Sequence, residues 1–224
     1  MQRIRRQLKG WLKLKRPTIV PLLGIAYVEG PFPALVSQWM SFGTLYTYLQ
    51  TRPTITTVAR VVLAKGVADG LNYLHSENVV HGDLHPGNVF MDGLGNPCLA
   101  NFGLATVIEH PKLEELSPDS RWRAPEVVGV EHDPEKPTFK SDIYSFGGVM
   151  FLIVSGDIPC IELSRRLTPA RPDNVLDKHW YLITKCWSWD PGDRPSSAEV
   201  LKHVISKGTV ARNGTRDTPQ VRDL

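Results

Sequence analysis

His81-Gly-Asp-Leu-His-Pro-Gly-Asn88 decides how this 224-residue chain is read. Glycine and proline punctuate the stretch, so it is loop rather than helix or strand. Asp83 has the chemistry to accept a hydroxyl proton, Asn88 to lend an oxygen to magnesium, and His85 to meet a phosphate. An aspartate in such a loop is also an ordinary turn former, so its surroundings must decide. Asn101-Phe-Gly103 comes next, directly after Cys98-Leu-Ala100, which reads as a short strand.

Upstream of the loop, Leu63, Val67, Leu71 and Leu74 recur at helical spacing beside small Ala64 and Ala68, predicting a long helix. A shorter helix starts near Gly43-Thr44. Thr18–Gly24 and Ala34–Met40 read as strands around a Gly30-Pro31 turn. Ile4, Leu8, Trp11 and Leu12 predict an amphipathic opening helix. Downstream, residues 109–135 have several prolines and no sustained periodicity, so they read as loop. The longest apolar run, Ile143 to Val154, is too short to cross a bilayer and reads as a buried helix capped by Asp142. Asp177 caps a helix through Trp187, and Ser196 with Glu199 forms a capping box for the last one. Two strands and a helix thus precede an almost all-helical body.

The 26 basic and 23 acidic side chains leave a net charge of +3, too balanced to argue for nucleic acid as a partner. The local excess of Arg3, Arg5, Arg6, Lys9, Lys13, Lys15 and Arg16 reads as the solvated face of the opening helix. Cys98, Cys160 and Cys186 have spacings that suit neither a disulfide framework nor a zinc site. A reducing, cytoplasmic compartment is expected, since no apolar signal region follows Met1. His75, His110, His132, His179 and His203 share no ligand spacing, and Trp180 and Trp187 read as packing residues. Asn213-Gly-Thr215 fits a glycosylation sequon within a polar tail, and Ser117 and Ser120 lie in the loop-like stretch.

Taken together, these stretches resemble a eukaryotic protein kinase domain. His81–Asn88 is similar to the catalytic loop H-R-D-L-x-x-x-N, and Asn101-Phe-Gly103 to D-F-G. Ala124-Pro-Glu126 matches the A-P-E triplet, and Ser141-Asp-Ile-Tyr-Ser-Phe-Gly147 looks like the start of the family's central buried helix. Cys186-Trp-Ser-Trp-Asp-Pro-Gly-Asp-Arg-Pro195 looks like the signature near the domain's end, in the manner of tyrosine-kinase-like and fungal-type kinases. Leu35 to Gly43 is similar to the hinge.

The resemblance implies an α+β, protein-kinase-like fold. Residues 1–40 would be a small-lobe remnant of one helix and two strands with the hinge. Residues 41–205 would form a mostly helical large lobe, and 206–224 a disordered tail. It further implies ATP-dependent phosphorylation of protein Ser, Thr or Tyr, with ATP and magnesium as cofactors and a protein as substrate or partner. Asp83 would orient the acceptor hydroxyl and take its proton, with His85 near the phosphate. Asn88 and Asn101 would hold the metal. Ser37 would take the gatekeeper position, and the backbones of Gln38 and Met40 would bond adenine. His81, Phe102, Gly103, Glu126, Asp142 and Arg194 would be structural, with Glu126 paired to Arg194 and Asp142 bracing the loop.

Departures from the pattern set a second expectation. Asn101 stands where the family carries a metal-binding aspartate, and Gln7 where it carries the glutamate that pairs with a strand lysine. The sequence opens at the helix that would follow the glycine-rich loop and that lysine, and nothing downstream resembles them. Gly82 replaces an arginine, His85 stands where lysine, alanine or arginine is usual, and Pro159 to Asp173 is shorter than the family's stretch. Leu22, Leu23, Ile25 and Leu35 would lie exposed on the two-strand remnant. The losses strip charge from nucleotide and metal sites, which predicts an impaired kinase or a pseudokinase acting as a binding module. A truncated chain without independent function is a third reading. The loop by itself also resembles that of aminoglycoside and choline phosphotransferases, whose products are phosphorylated small molecules.

Overall fold

The computed structural model describes residues 11–26, 34–103 and 121–206. Most of the opening helix, with Gln7 and with Arg3, Arg5, Arg6 and Lys9 of the basic stripe, lies outside them; Arg16 of that stripe is described and pairs with Asp69 at 2.7 Å. So do the Gly30-Pro31 turn, Ser117, Ser120 and residues 207–224 of the tail.

Among the described residues six helices carry the body. α1 (Leu45–Gln50) is capped by Thr44, and α2 (Thr57–Ser76) by Thr56. Leu63, Val67, Leu71 and Leu74 are all buried along α2. A single turn, α3 (Pro125–Val128), interrupts the stretch read as loop, opening on proline and closing on left-handed Gly129. α4 (Phe139–Ser155) is buried from Ser141 to Ser155, as a helix apolar on every side must be. α5 (Asp177–Cys186) and α6 (Ser197–Ile205) complete the set, the latter with the Ser196–Glu199 capping box. α4 is the axle: α2 and α5 pack on it, and α6 packs on α2.

Two caps differ from the sequence reading. Thr138, not Asp142, caps α4 through a capping box with Ser141. Asp142 lies one turn inside, where it is free to bond elsewhere. Leu176 precedes α5, and Asp177 is its first residue. Among the described residues, Pro159–Asp173 holds only the short turn Leu163–Arg165 and a Glu162–Leu167 bridge.

α4 and α5 approach closely at Gly147. A Cβ added there would meet Cys186 Cβ and Trp187 Cδ1 at 2.9 Å. Overpacking of this kind costs about 1–3 kcal/mol, against about 1 kcal/mol gained from alanine's helix propensity. Gly147→Ala is therefore expected to lower the denaturant midpoint, whereas Gly24→Ala, with nothing within 4 Å of its Cβ, is not. A midpoint unchanged by Gly147→Ala would contradict this packing.

The described strands form two antiparallel pairs. β1 (Leu22–Ala26) pairs with β2 (Ala34–Ser37), with Ile25 opposite Leu35. β1 starts four residues later than the apolar pattern placed it. Thr18 to Val20 are taken up by the second pair instead: Leu99 N donates to Thr18 O, and Val20 N to Leu99 O, both at 2.9 Å. Pro21, lacking an N–H, ends that bridge. The exposed face is smaller than expected, for Leu23 (66% exposed) and Ile25 point to solvent while Leu22 and Leu35 pack on the core. The second pair, β3 (Val89–Met91) with β4 (Pro97–Leu99), carries the catalytic-type loop and Asn101 at the same end, where Val89 lies opposite Leu99. Among the described residues no helix is long and apolar enough to cross a membrane.

Candidate functional site

The loop from His81 to Asn88 hangs between α2 and β3, and α4 holds it from beneath. Asp142, 1% exposed, accepts from His81 N at 2.7 Å and from Gly82 N at 2.8 Å. Its Oδ2 lies 2.9 Å from His75 Nε2, in the last turn of α2. A buried carboxylate needs such partners. Gly82 takes φ +80, a left-handed value that favours glycine, so its N–H turns inward to Asp142. His75 was invisible in the sequence, because only the packing of α2 on α4 brings it to Asp142.

His81 is fully buried. Its carbonyl accepts from Gly103 N at 2.9 Å, and its Nδ1 from Asp83 N at 3.3 Å. Burial pushes the imidazole down to about 4, so it is neutral at pH 7. Phe102 sits between the His81 ring and Trp11, whose ring centroid is 4.6 Å away.

Asp83 is engaged on both carboxylate oxygens. Arg123 Nη2 donates to Oδ1 at 3.1 Å, and Asn88 Nδ2 to Oδ2 at 3.2 Å. His85 Nε2 stands 3.7 Å from Oδ2 while its Nδ1 accepts from Gly87 N. Burial pushes the Asp83 carboxyl up, but His85 and Arg123 together overcome it and bring it down to about 2. A depressed pKa stabilises the fold above the ordinary carboxylate pKa of about 4, and that stability is lost as pH falls toward the depressed value. Arg123→Gln is expected to raise the Asp83 pKa toward the ordinary value, as followed by carboxyl carbon NMR. An unmoved titration would show that Arg123 does not set it. Arg123, like His75, escaped the sequence reading, since a lone arginine beside Ala124 carries no local signal.

Asn101 takes φ +59, a conformation asparagine tolerates, and its Nδ2 donates to Asn88 Oδ1 at 2.8 Å. The two amides meet through this one hydrogen bond, while Asn88 Nδ2 donates to Asp83. Magnesium is a hard cation that favours charged oxygens. The donor set here is two neutral amides, and the neighbouring Asp83 carboxylate is already paired, so these residues fit the ion poorly.

Residues 35–43 present a different environment. The lining of a 420 Å³ cavity includes apolar Trp11, Val20, Leu35, Met40, Phe90 and Ala100 and polar Ser37, Gln38, Ser41 and Asn101. Gln38 N donates to Pro21 O and Gly43 N to Met40 O, both at 3.1 Å. Among the described residues the Gln38 carbonyl and the Met40 N–H have no backbone partner, and that pair fits the donor–acceptor edge of an adenine ring. Far from the cavity, Arg194 reaches Glu126 with both terminal nitrogens, at 2.6 and 2.8 Å.

A family model for protein tyrosine and serine/threonine kinases matches residues 1–204. The chain belongs to that family. Among curated kinases, it is similar to serine/threonine-protein kinase STY17 of Arabidopsis thaliana, at 29% identity over 85% of this chain and 35% of the relative. Serine/threonine-protein kinase PkaA of Streptomyces coelicolor is 32% identical over 93% of this chain and 40% of its own length. The Raf homolog serine/threonine-protein kinase of Caenorhabditis elegans is 31% identical over 82% and 25%. The kinase chain therefore spans well under half of each of these relatives. Its α+β architecture is a partial kinase fold.

Proposed function

We propose that this kinase-family chain binds an adenine nucleotide at residues 37–40 and transfers phosphate to protein Ser, Thr or Tyr hydroxyls only weakly, serving chiefly as a binding module. The observation that carries the reading is the Asn101–Asn88 amide pair, 2.8 Å apart, where a charged metal ligand would stand. Phosphoryl transfer depends on positioning and on charge stabilisation at the phosphates. Positioning is retained. Asp83 keeps its carboxylate, held by Asn88, Arg123 and His85, and can orient an acceptor hydroxyl and take its proton. The frame that sets it is His81, Asp142, Phe102 and Gly103, with Glu126 and Arg194 fixing the segment opposite. Charge stabilisation is reduced, since Asn88 and Asn101 contribute no negative charge for a magnesium ion. In this reading ATP enters through its adenine at the backbones of Gln38 and Met40 beside Ser37, residues 41–205 form the large lobe, and 1–40 the part of the small lobe present.

The test is transfer of labelled γ-phosphate to a generic protein substrate by the chain and by its Asp83→Ala variant. In a competent enzyme a positioned acid–base group contributes about 10²–10⁴-fold. The wild-type rate is expected within about tenfold of the variant's. A ratio in the competent range would overturn the reading, and phosphorylation of an aminoglycoside or choline instead of protein would replace the substrate class.

A further inference from the structure

We infer that Arg123 is a positioning residue that holds Asp83 at rest: its guanidinium covers the carboxylate oxygen that an acceptor hydroxyl must reach, and it has to swing away before transfer. This rests on the kinase reading above and names a control built into the same site. The two oxygens of Asp83 face different ways. Oδ2 is turned into the loop, toward Asn88 Nδ2 at 3.2 Å and His85 Nε2 at 3.7 Å. Oδ1 faces the segment that leads into α3, where Arg123 Nη2 meets it at 3.1 Å. An arriving hydroxyl is a neutral donor, and there it competes with a charged one, whose hydrogen bonds are the stronger. The hydroxyl proton must pass to Asp83 as its oxygen takes the γ-phosphoryl group and ADP leaves. Burial pushes the Asp83 carboxyl up, yet His85 and Arg123 bring it down to about 2, and a weaker base takes that proton less readily. Arg123 therefore opposes both the approach of the acceptor and the loss of its proton.

The contact is made to open. Trp122 and Ala124 on either side of Arg123 are buried, and Glu126 just beyond is clamped by Arg194. The backbone is thus fixed, and the Arg123 side chain is the part left to turn. Its hold is slight beside that of Arg194, which grips Glu126 with two nitrogens at 2.6 and 2.8 Å and donates to the carbonyls of Ser188, Lys140 and Trp189 as well. A guanidinium carries five N–H donors. Arg123 places one of them on Asp83, at 3.1 Å, which is long for a charge-assisted bond. Its Nε is buried without a hydrogen-bond partner, a cost that turning out to water relieves. A contact of this kind keeps the resting state without locking it.

The experiment follows transfer of labelled γ-phosphate from ATP to a generic protein substrate by the full chain and its variants at position 123. Arg123→Gln is expected to raise kcat/KM for the protein about tenfold, the factor carried by one net hydrogen bond to a charged group, with KM for ATP unchanged. Arg123→Met, similar in length and uncharged, should show the same gain and carries the test if Arg123→Gln fails to fold. Arg123→Lys keeps the charge and should stay near the wild-type rate. In an Asp83→Ala background the gain should vanish, since the arginine acts through that carboxylate. An arginine with a merely structural role would give a loss instead. Unchanged or lower kcat/KM in both uncharged variants, or a gain that survives Asp83→Ala, overturns the inference. Thermal unfolding with ATP, run alongside, separates this from the reading beneath it. Stabilisation by ATP without the gain removes the resting contact and keeps the kinase reading. No stabilisation and no protein phosphorylation by any variant removes both.

Discussion

Replacing Arg194 by alanine is expected to lower the free energy of unfolding by about 3–5 kcal/mol, the cost of stranding one member of a buried ion pair. The Arg194 side chain is 0% exposed. Besides Glu126 it donates to the carbonyls of Ser188, Lys140 and Trp189, at 2.8, 3.1 and 3.2 Å, and it lies over the Tyr144 ring. Lys140 Nζ in turn donates to the Arg194 carbonyl. Alanine would leave the Glu126 carboxylate and three carbonyls without their donor at once. The pair itself is not a net source of that much stability, because desolvating two charges offsets most of their attraction. The double variant Glu126→Leu, Arg194→Met should therefore lose far less than the two single losses added together. Urea unfolding separates these outcomes, and an Arg194→Ala loss of only about 0.5 kcal/mol, the size of an ordinary surface change, would contradict the clamp.

Asn101→Asp should act in opposite directions with and without magnesium. In its absence the new carboxylate faces Asn88 Oδ1, which now accepts from Asn101 Nδ2 at 2.8 Å. The lost hydrogen bond should cost about 1 kcal/mol of stability. With magnesium and ATP present, the restored charge should tighten nucleotide binding by about tenfold or more, equivalent to about 1.4 kcal/mol. Calorimetric titration of the variant with ATP in magnesium and in chelator measures both. Affinity equal in the two buffers would mean that residue 101 does not face the metal, and the reading of Asn101 as a lost ligand would fall.

Much of the fold was legible because its signals are local. The apolar spacing of α2, the unbroken apolar run of α4 and the Ser196–Glu199 capping box each lie within one element. The loop and the Asn101 triplet were legible as chemistry for the same reason. What escaped depended on contacts distant in sequence. Asp142 read as a cap because an acid before an apolar helix usually is one; only the packing of α4 beneath the loop shows that Thr138 does the capping and Asp142 bonds His81 and Gly82. β1 was misplaced because Ile19 and Val20 are as apolar as any strand, and nothing local says that they join β4 rather than β2. His75 and Arg123 gain meaning only through partners 67 and 40 residues away.

The most direct test of the central claim, an adenine pocket that persists beside a metal site stripped of charge, is thermal unfolding of the wild-type chain with ATP, in magnesium and in chelator. A ligand that binds only the folded state raises its stability, by about 2.7 kcal/mol at a hundredfold excess over Kd. The account predicts a rise in melting temperature of the same size in both buffers. A rise that requires magnesium would contradict it, because Asn88 and Asn101 would then be holding the ion despite their lack of charge.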